Sequence, residues 1–362
     1  MTPTYVYAII PTGNRVLFDE VAGVDDEHDE VYTVPHRDIA AVVSASPLAD
    51  YRGLRRDQAA RYLVAHQSVV EAVMQVFTIL PAKFGTVLPD EDSVHRLLAQ
   101  GETLFRSTLE EFADRVQMEV VVLWDLQQVF REIGQEPHIA QLKAQAAGRP
   151  SEETVIERVA IGQMVQKSLE QRRSSVRDYL IYSLGKPSLD VVVNPHMDDS
   201  MVINVALLVD QAEQEALDHQ LKLLDEEFES QFTFRCIGPL PPYSFATVEV
   251  EIPSFEAIDE ARRSLGLRET ATPGKIRRAY HRLAGTAHPD HNPDDPEAEA
   301  RMTELTHAYE LLTAYAEAVQ ESGGAEERQF ETCTEPSRSI RFGQEAVERT
   351  LLIAVRRQEV PV

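Results

Sequence analysis

The chain has 362 residues, enough for two or three domains of ordinary size, and 43% of them are hydrophobic, which argues against a disordered chain. Thirty-five Lys and Arg stand against 60 Asp and Glu, a formal net charge of −25, so repulsion from phosphate disfavours general binding to nucleic acid or to an anionic membrane. The two cysteines, Cys236 and Cys333, are too few and too far apart for a disulfide framework or a zinc cluster, and they fit a reducing compartment. The first residues, MTPTYVYAIIPTGN, lack a basic region followed by a long apolar run. No apolar stretch approaches the roughly 20 residues needed to span a bilayer. The expectation is a soluble, cytoplasmic chain.

In chain order, residues 4–11 (TYVYAIIP) are β-branched and aromatic and stop at a Pro-Thr-Gly-Asn turn, so they read as the first strand. Residues 31–46 supply one or two more strands. A helix follows over about 55–77, with Ala59, Tyr62, Leu63, His66, Val69, Val70 and Val73 recurring at three and four. His66 lies on that stripe and reads as a core histidine bonded to a backbone group, with a ligand role as the alternative. Pro81, Gly85 and Pro89 break the pattern. A second helix over 91–116 and a strand over 118–125 close a first domain, 1–125, expected to be a sheet with helices on one face.

Residues 126–252 repeat the logic. A loop at 146–153 leads to a long helix over 152–182, then strands at 189–195 and 201–210, a helix over 211–230, and strands at 232–238 and 244–253. That order reads as a second, ferredoxin-like domain. Helical patterns take over at 253–320. Residues 321–362 read as a polar linker and a tail, with a strand at 350–358 that returns to one of the sheets. The fold class expected is α+β: two ferredoxin-like or mixed α/β domains, then an all-α helical hairpin and a C-terminal tail.

Five segments, YVYAII, AHQSVVEAVM, LPAKFGTV, VVLWD and GPLPPYSF, resemble in order the recurring segments of the gas-vesicle GvpL/GvpF family over residues 4–250. The resemblance implies an accessory protein of gas-vesicle formation with two α/β domains. It also implies association with the hydrophobic major shell subunit and with other gas-vesicle accessory proteins. Within GPLPPYSF, the prolines at 239, 241 and 242 remove backbone donors, while Tyr243 and Phe245 add apolar area. Those two aromatics read either as the packed lead-in to a strand or as a shell-subunit contact. Within LPAKFGTV, Lys83 and Phe84 are the candidates to face a partner, and Gly85 to make a tight turn.

A second resemblance covers about 255–320. IRRAYHRLAGTAHPDHNPDD (276–295) is similar to the J-domain of DnaJ-type co-chaperones, and it has both flanks of that hairpin. Ile276, Tyr280, Leu283 and Ala284 form an apolar stripe upstream; Met302, Leu305, Tyr309 and Leu312 form one downstream. The resemblance implies that His288, Pro289 and Asp290 couple docking to ATP hydrolysis on a DnaK-type chaperone. Lys275, Arg277, Arg278 and Arg282 lie on the preceding helix, and residues 262–291 hold seven Lys and Arg against two Asp and Glu. A positive island in an acidic chain steers toward an acidic partner surface. The pattern departs from the family at Thr286, Ala287 and His291.

No phosphate-binding glycine loop, nucleophile elbow or zinc-protease motif is present, and the many carboxylates read as solvated faces. Cys236, in an expected strand, reads as a small buried hydrophobe. The expectation is a non-enzyme without metal or cofactor: an assembly factor that binds the shell subunit and recruits a chaperone. The alternative is a minor structural or nucleation component whose J-like part makes protein contacts alone.

Overall fold

The structure, a computed structural model, describes residues 2–25, 30–229, 231–288, 295, 297–326 and 339–357. The backbone divides into two compact units, Met1–Glu111 with Thr247–Arg356, and Phe112–Ala246 with Arg357–Val362.

The first unit begins with β1 (Thr4–Ile10), β2 (Tyr32–His36), β3 (Ile39–Ala45), α1 (Arg56–Met74), β4 (Leu80–Pro81), β5 (Val87–Leu88) and α2 (Glu91–Glu111). The sheet order is β2-β3-β1-β4, all antiparallel, with β5 also paired to β1. Every residue of β1 is buried, so its β-branched and aromatic run is that of a strand covered on both faces rather than on the one face expected. Tyr5 and Tyr7 lie against His66 of α1, and α2 packs across β1, β2 and β3.

The second unit contains β6 (Arg115–Trp124), α3 (Leu126–Ile133), α4 (Pro137–Ala146), α5 (Val155–Gly185), β7 (Asp190–Val193), β8 (Met201–Asp210), α6 (Gln214–Glu227) and β9 (Phe232–Leu240). Its sheet runs β7-β8-β6-β9, each pair antiparallel. The Asp125 side chain caps α3 by accepting from the N–H groups of Gln127 and Gln128. Val116, Met118, Val120, Val122 and Trp124 alternate onto one face of β6, against Leu169, Leu180 and Leu184 of α5 and Leu217 and Leu224 of α6. Each such buried side chain contributes about 1.5–3 kcal/mol.

This pairing corrects one expectation. The strand at 118–125 does not close the first sheet; as β6 it sits at the centre of the second, between β8 and β9. Apolar alternation marks a strand but leaves its partner open, because pairing is decided by residues far away in the chain.

After β9 the chain re-enters the first unit as β10 (Thr247–Glu251), α7 (Phe255–Ser264), β11 (Thr270–Ala271), α8 (Pro273–Ala287), α9 (Ala298–Glu326), β12 (Ile340–Arg341), α10 (Gln344–Glu348) and β13 (Leu352–Arg356). Residues 244–253 therefore do not complete the second sheet. β10 pairs with β13, and its Val248 forms a parallel bridge with Ala82, the residue after β4. The expected tail strand is β13, and β10 is its partner. The polar stretch expected to link at 321–329 is helical through Glu326; residues 327–338 lie outside the described residues.

Candidate chaperone-docking and partner-contact residues

α8 starts at Pro273, whose fixed φ suits a first helical turn, and it buries Ile276, Ala279 and Ala284. Ile276 and Ala279 pack with Ala308, Leu312, Tyr315 and Ala316 of α9 and with Ile258, Ala261 and Leu265 of α7. The Tyr280 and Tyr309 rings stack with centroids 4.3 Å apart and planes 15° from parallel, and the Tyr280 hydroxyl lies 3.3 Å from Thr306 Oγ1. Both apolar stripes expected from the sequence are thus in contact.

The opposite face of α8 is basic. Lys275, Arg277, Arg278 and Arg282 are all exposed. None of the four is ion-paired to a carboxylate among the described residues; Arg277 Nε donates instead to His281 Nε2 at 3.4 Å. Arg262 and Arg263 on α7 differ, since both pair with Asp259 at 2.5 Å. The positive island therefore lies mainly on the exposed side of α8, with Arg268 before it. α8 ends at Ala287, and His288, half-buried, turns out of it at φ −59° and ψ 133°. Pro289 and Asp290, the other two members of the triplet, lie outside the described residues. At the start of α9, the Arg301 guanidinium pairs with Asp295 and holds its carboxyl below the usual range.

The tail completes the core of these helices. Ile340, Phe342 and Val347 are buried in it, β12 pairs with β11, and the Tyr315 hydroxyl donates to the Arg341 carbonyl at 2.7 Å. Sequence reasoning missed this contribution; the available signal was the apolar spacing of residues 340, 342 and 347.

The candidate shell-contact residues fall in two places. In the first unit, Lys83 Nζ donates to Glu249 Oε1 at 2.8 Å, and the other oxygen of Glu249 accepts from Arg356 Nε at 3.0 Å. Phe84 is half-buried and meets the Tyr51 and His66 rings edge-on, each at 5.9 Å. Gly85 has φ +80°, donates its N–H to the Tyr5 hydroxyl at 2.9 Å, and would place a Cβ 2.9 Å from Tyr51 Cβ. The tight turn expected at Gly85 is present. The Tyr5 hydroxyl also lies 3.1 Å from His66 Nδ1, and burial pushes the imidazole down to about 4. His66 is a core histidine, and the Tyr5 hydroxyl is one of its partners.

In the second unit, the GPLPPYSF segment packs against β6. Gly238 (φ +149°) lies so close to β6 that a Cβ would stand 2.6 Å from Met118 Sδ and 3.0 Å from the Gln117 carbonyl. The Ser244 N–H donates to Gln117 Oε1 at 2.8 Å. Phe245 is only 6% exposed, under the Arg357 guanidinium at 5.7 Å, and Tyr243 is half-buried. Phe245 is packed before β10, while Tyr243 keeps part of its surface exposed.

Cys236 corrects a further expectation: it is exposed, because β9 lies at the edge of its sheet. Partial burial, with Asp218 nearby, pushes its thiol pKa up. Cys333 lies outside the described residues. No group of three metal-ligating side chains occurs among the described residues, and no helix there is long and apolar enough to cross a membrane.

A family model described as "Gas vesicle synthesis protein GvpL/GvpF" matches residues 3–247, and one described as "DnaJ domain" matches residues 263–317. Gas vesicle protein F of a Streptomyces species is 29% identical over 247 residues, covering 67% of this chain and 98% of that protein. Gas vesicle protein L1 of Halobacterium salinarum is 28% identical over 261 residues, covering 67% of this chain and 89% of that protein. The crystal structure of GvpF from an Anabaena species superposes with a TM-score of 0.55 at 23% identity, covering 67% of this chain and 98% of that one. GvpF from Microcystis aeruginosa gives 0.52 at 22% identity, with the same coverage. These two likenesses show the fold of the α/β part. The chain belongs to the GvpL/GvpF family of gas vesicle synthesis proteins and carries, after that region, a segment matching the DnaJ domain.

Proposed function

We propose that the chain is a non-catalytic gas-vesicle assembly factor that works without a cofactor. In this reading it binds the hydrophobic shell subunit through its α/β part and recruits a DnaK-type chaperone through α8 and the triplet after it. It acts in the cytoplasm and on the growing vesicle, beside other accessory proteins. The single observation that carries the reading is the exposed basic face of α8, with no carboxylate paired to it among the described residues, in a chain of net charge −25 that is otherwise a GvpL/GvpF protein. A cationic helix face of this kind steers an acidic chaperone surface to the site and loses that attraction in salt. An apolar subunit aggregates unless its surface is covered before assembly, and a docking module on the protein that holds it raises the chaperone's effective concentration there. The antiparallel order β7-β8-β6-β9 with α5 and α6 between the strands supports the ferredoxin-like reading of the second unit.

The test is light scattering of purified shell subunit diluted from denaturant. The chain with chaperone and ATP is expected to suppress scattering more than either alone, and Arg278→Glu with Arg282→Glu to abolish the excess. Equal suppression by that variant would overturn chaperone recruitment. The tail's contribution to the helical core favours a second reading, in which the module is a structural contact of a minor shell component. Retention at fixed stoichiometry on washed vesicles would support that one.

A further inference from the structure

Sheet edges offer unpaired backbone groups, and proteins usually blunt them. In this chain β7, one edge of the second sheet, has only four residues and starts at Asp190, which is held by Arg357 at 2.5 Å. β2, an edge of the first sheet, is covered by residues 16–18 through Thr33 N–H to the Val16 carbonyl and Phe18 N–H to the Val31 carbonyl, both 2.9 Å. β9 has none of these devices over most of its length. It is nine residues long, carries one charge, Arg235, and reaches a proline only at 239. Among the described residues, no strand pairs with its free side.

The chemistry beside that edge is specific. The Tyr179 hydroxyl of α5 donates to the Glu227 carboxylate at 2.6 and 2.8 Å, which turns one flank of α6 toward α5. Helical spacing then puts Glu215, Asp218, Lys222 and Asp225, all exposed, on the opposite flank, above β9. Phe232 and Phe234 pack under the helices, and Cys236, the next residue on that face, senses Asp218. On the other face Thr233, Arg235 and Ile237 are open to solvent, Ile237 by 53%.

We propose that β9 accepts an added strand from a partner protein, an extended segment alternating Lys or Arg with β-branched apolar residues. The basic side chains lie under the acidic flank of α6, the apolar ones cover the Ile237 face, and main-chain bonds to β9 supply the register. Charge argues against a second copy as the occupant. Pairing β9 with its twin would bring two acidic α6 flanks together on one face of a continuous sheet. The proposal is independent of chaperone recruitment.

The test uses the full chain and a labelled nine-residue peptide alternating Lys and Val, followed by fluorescence anisotropy. Saturable binding is expected. It should weaken at least tenfold when alternate peptide amides are N-methylated, when Glu replaces Lys, or when the lysines are grouped at one end. Asp218→Lys with Asp225→Lys, both at exposed positions, should weaken it too, and backbone amides in 232–238 should exchange more slowly with peptide bound. Failure to bind, indifference to N-methylation, or equal affinity for the grouped peptide would overturn the proposal, the last showing mere attraction to an acidic chain. A self-associated protein that the peptide cannot dissociate, and that Arg235→Pro makes monomeric, would name a second copy as occupant and equally overturn it.

Discussion

Burial holds the His66 imidazole at about 4, below the ordinary histidine value, so the folded chain binds fewer protons than the unfolded chain between those two values. Its contribution to stability is therefore full above pH ~6.5 and is lost as pH falls toward 4, by about 3 kcal/mol in all. His66→Gln keeps an acceptor for Tyr5 and removes the titration. Its urea midpoint should fall less than that of the wild type between pH 7 and pH 4.5, and parallel losses would refute the assignment. Gly85 makes a sharper case: φ +80° and the nearby Tyr51 Cβ leave no room for a methyl group. Gly85→Ala should cost about 2 kcal/mol, read as a drop in melting temperature, because it forces strain into a turn. Both residues were legible in the sequence. His66 sat on an apolar helical stripe, and Gly85 sat between prolines where a turn was required. Cys236 was not legible, because a strand pattern does not say whether the strand is central or at an edge.

At the level of elements, the longer helices and strands follow from local patterns while the short β4, β5, β11, β12 and α10 do not, and two strands went to sheets other than those expected. β6 and β10 have the apolar pattern of their neighbours in sequence and pair with strands far from them, β8 and β9 in one case and β13 in the other. Register and partner are non-local quantities, and nothing within either strand encodes them. The tail carries a consequence. Ile340, Phe342, Val347 and Leu351 are each at most 2% exposed, and β13 is the partner of β10. Ending the chain at residue 338 should expose the α7–α9 core and abolish slow amide exchange across 255–320. Unchanged protection there would mean that the hairpin folds without its tail.

For the whole molecule, the J-like helices belong to the same compact unit as the first α/β sheet, with α9 packed on α2. They are not beads on a flexible linker. The motif that identified them was legible because an apolar stripe on each side of a His-Pro-Asp triplet is a local sequence pattern; their integration through the tail was not, because it rests on contacts distant in sequence. In the function proposed above, this integrated module addresses a chaperone. The measurement that tests it most directly is steady-state ATP hydrolysis by the DnaK-type chaperone of the same cell, with shell subunit present, comparing the wild-type chain with His288→Gln. Severalfold stimulation by the wild type is expected, and its loss in the variant at equal folded fraction. No stimulation by folded wild type, or equal stimulation by the variant, would contradict it.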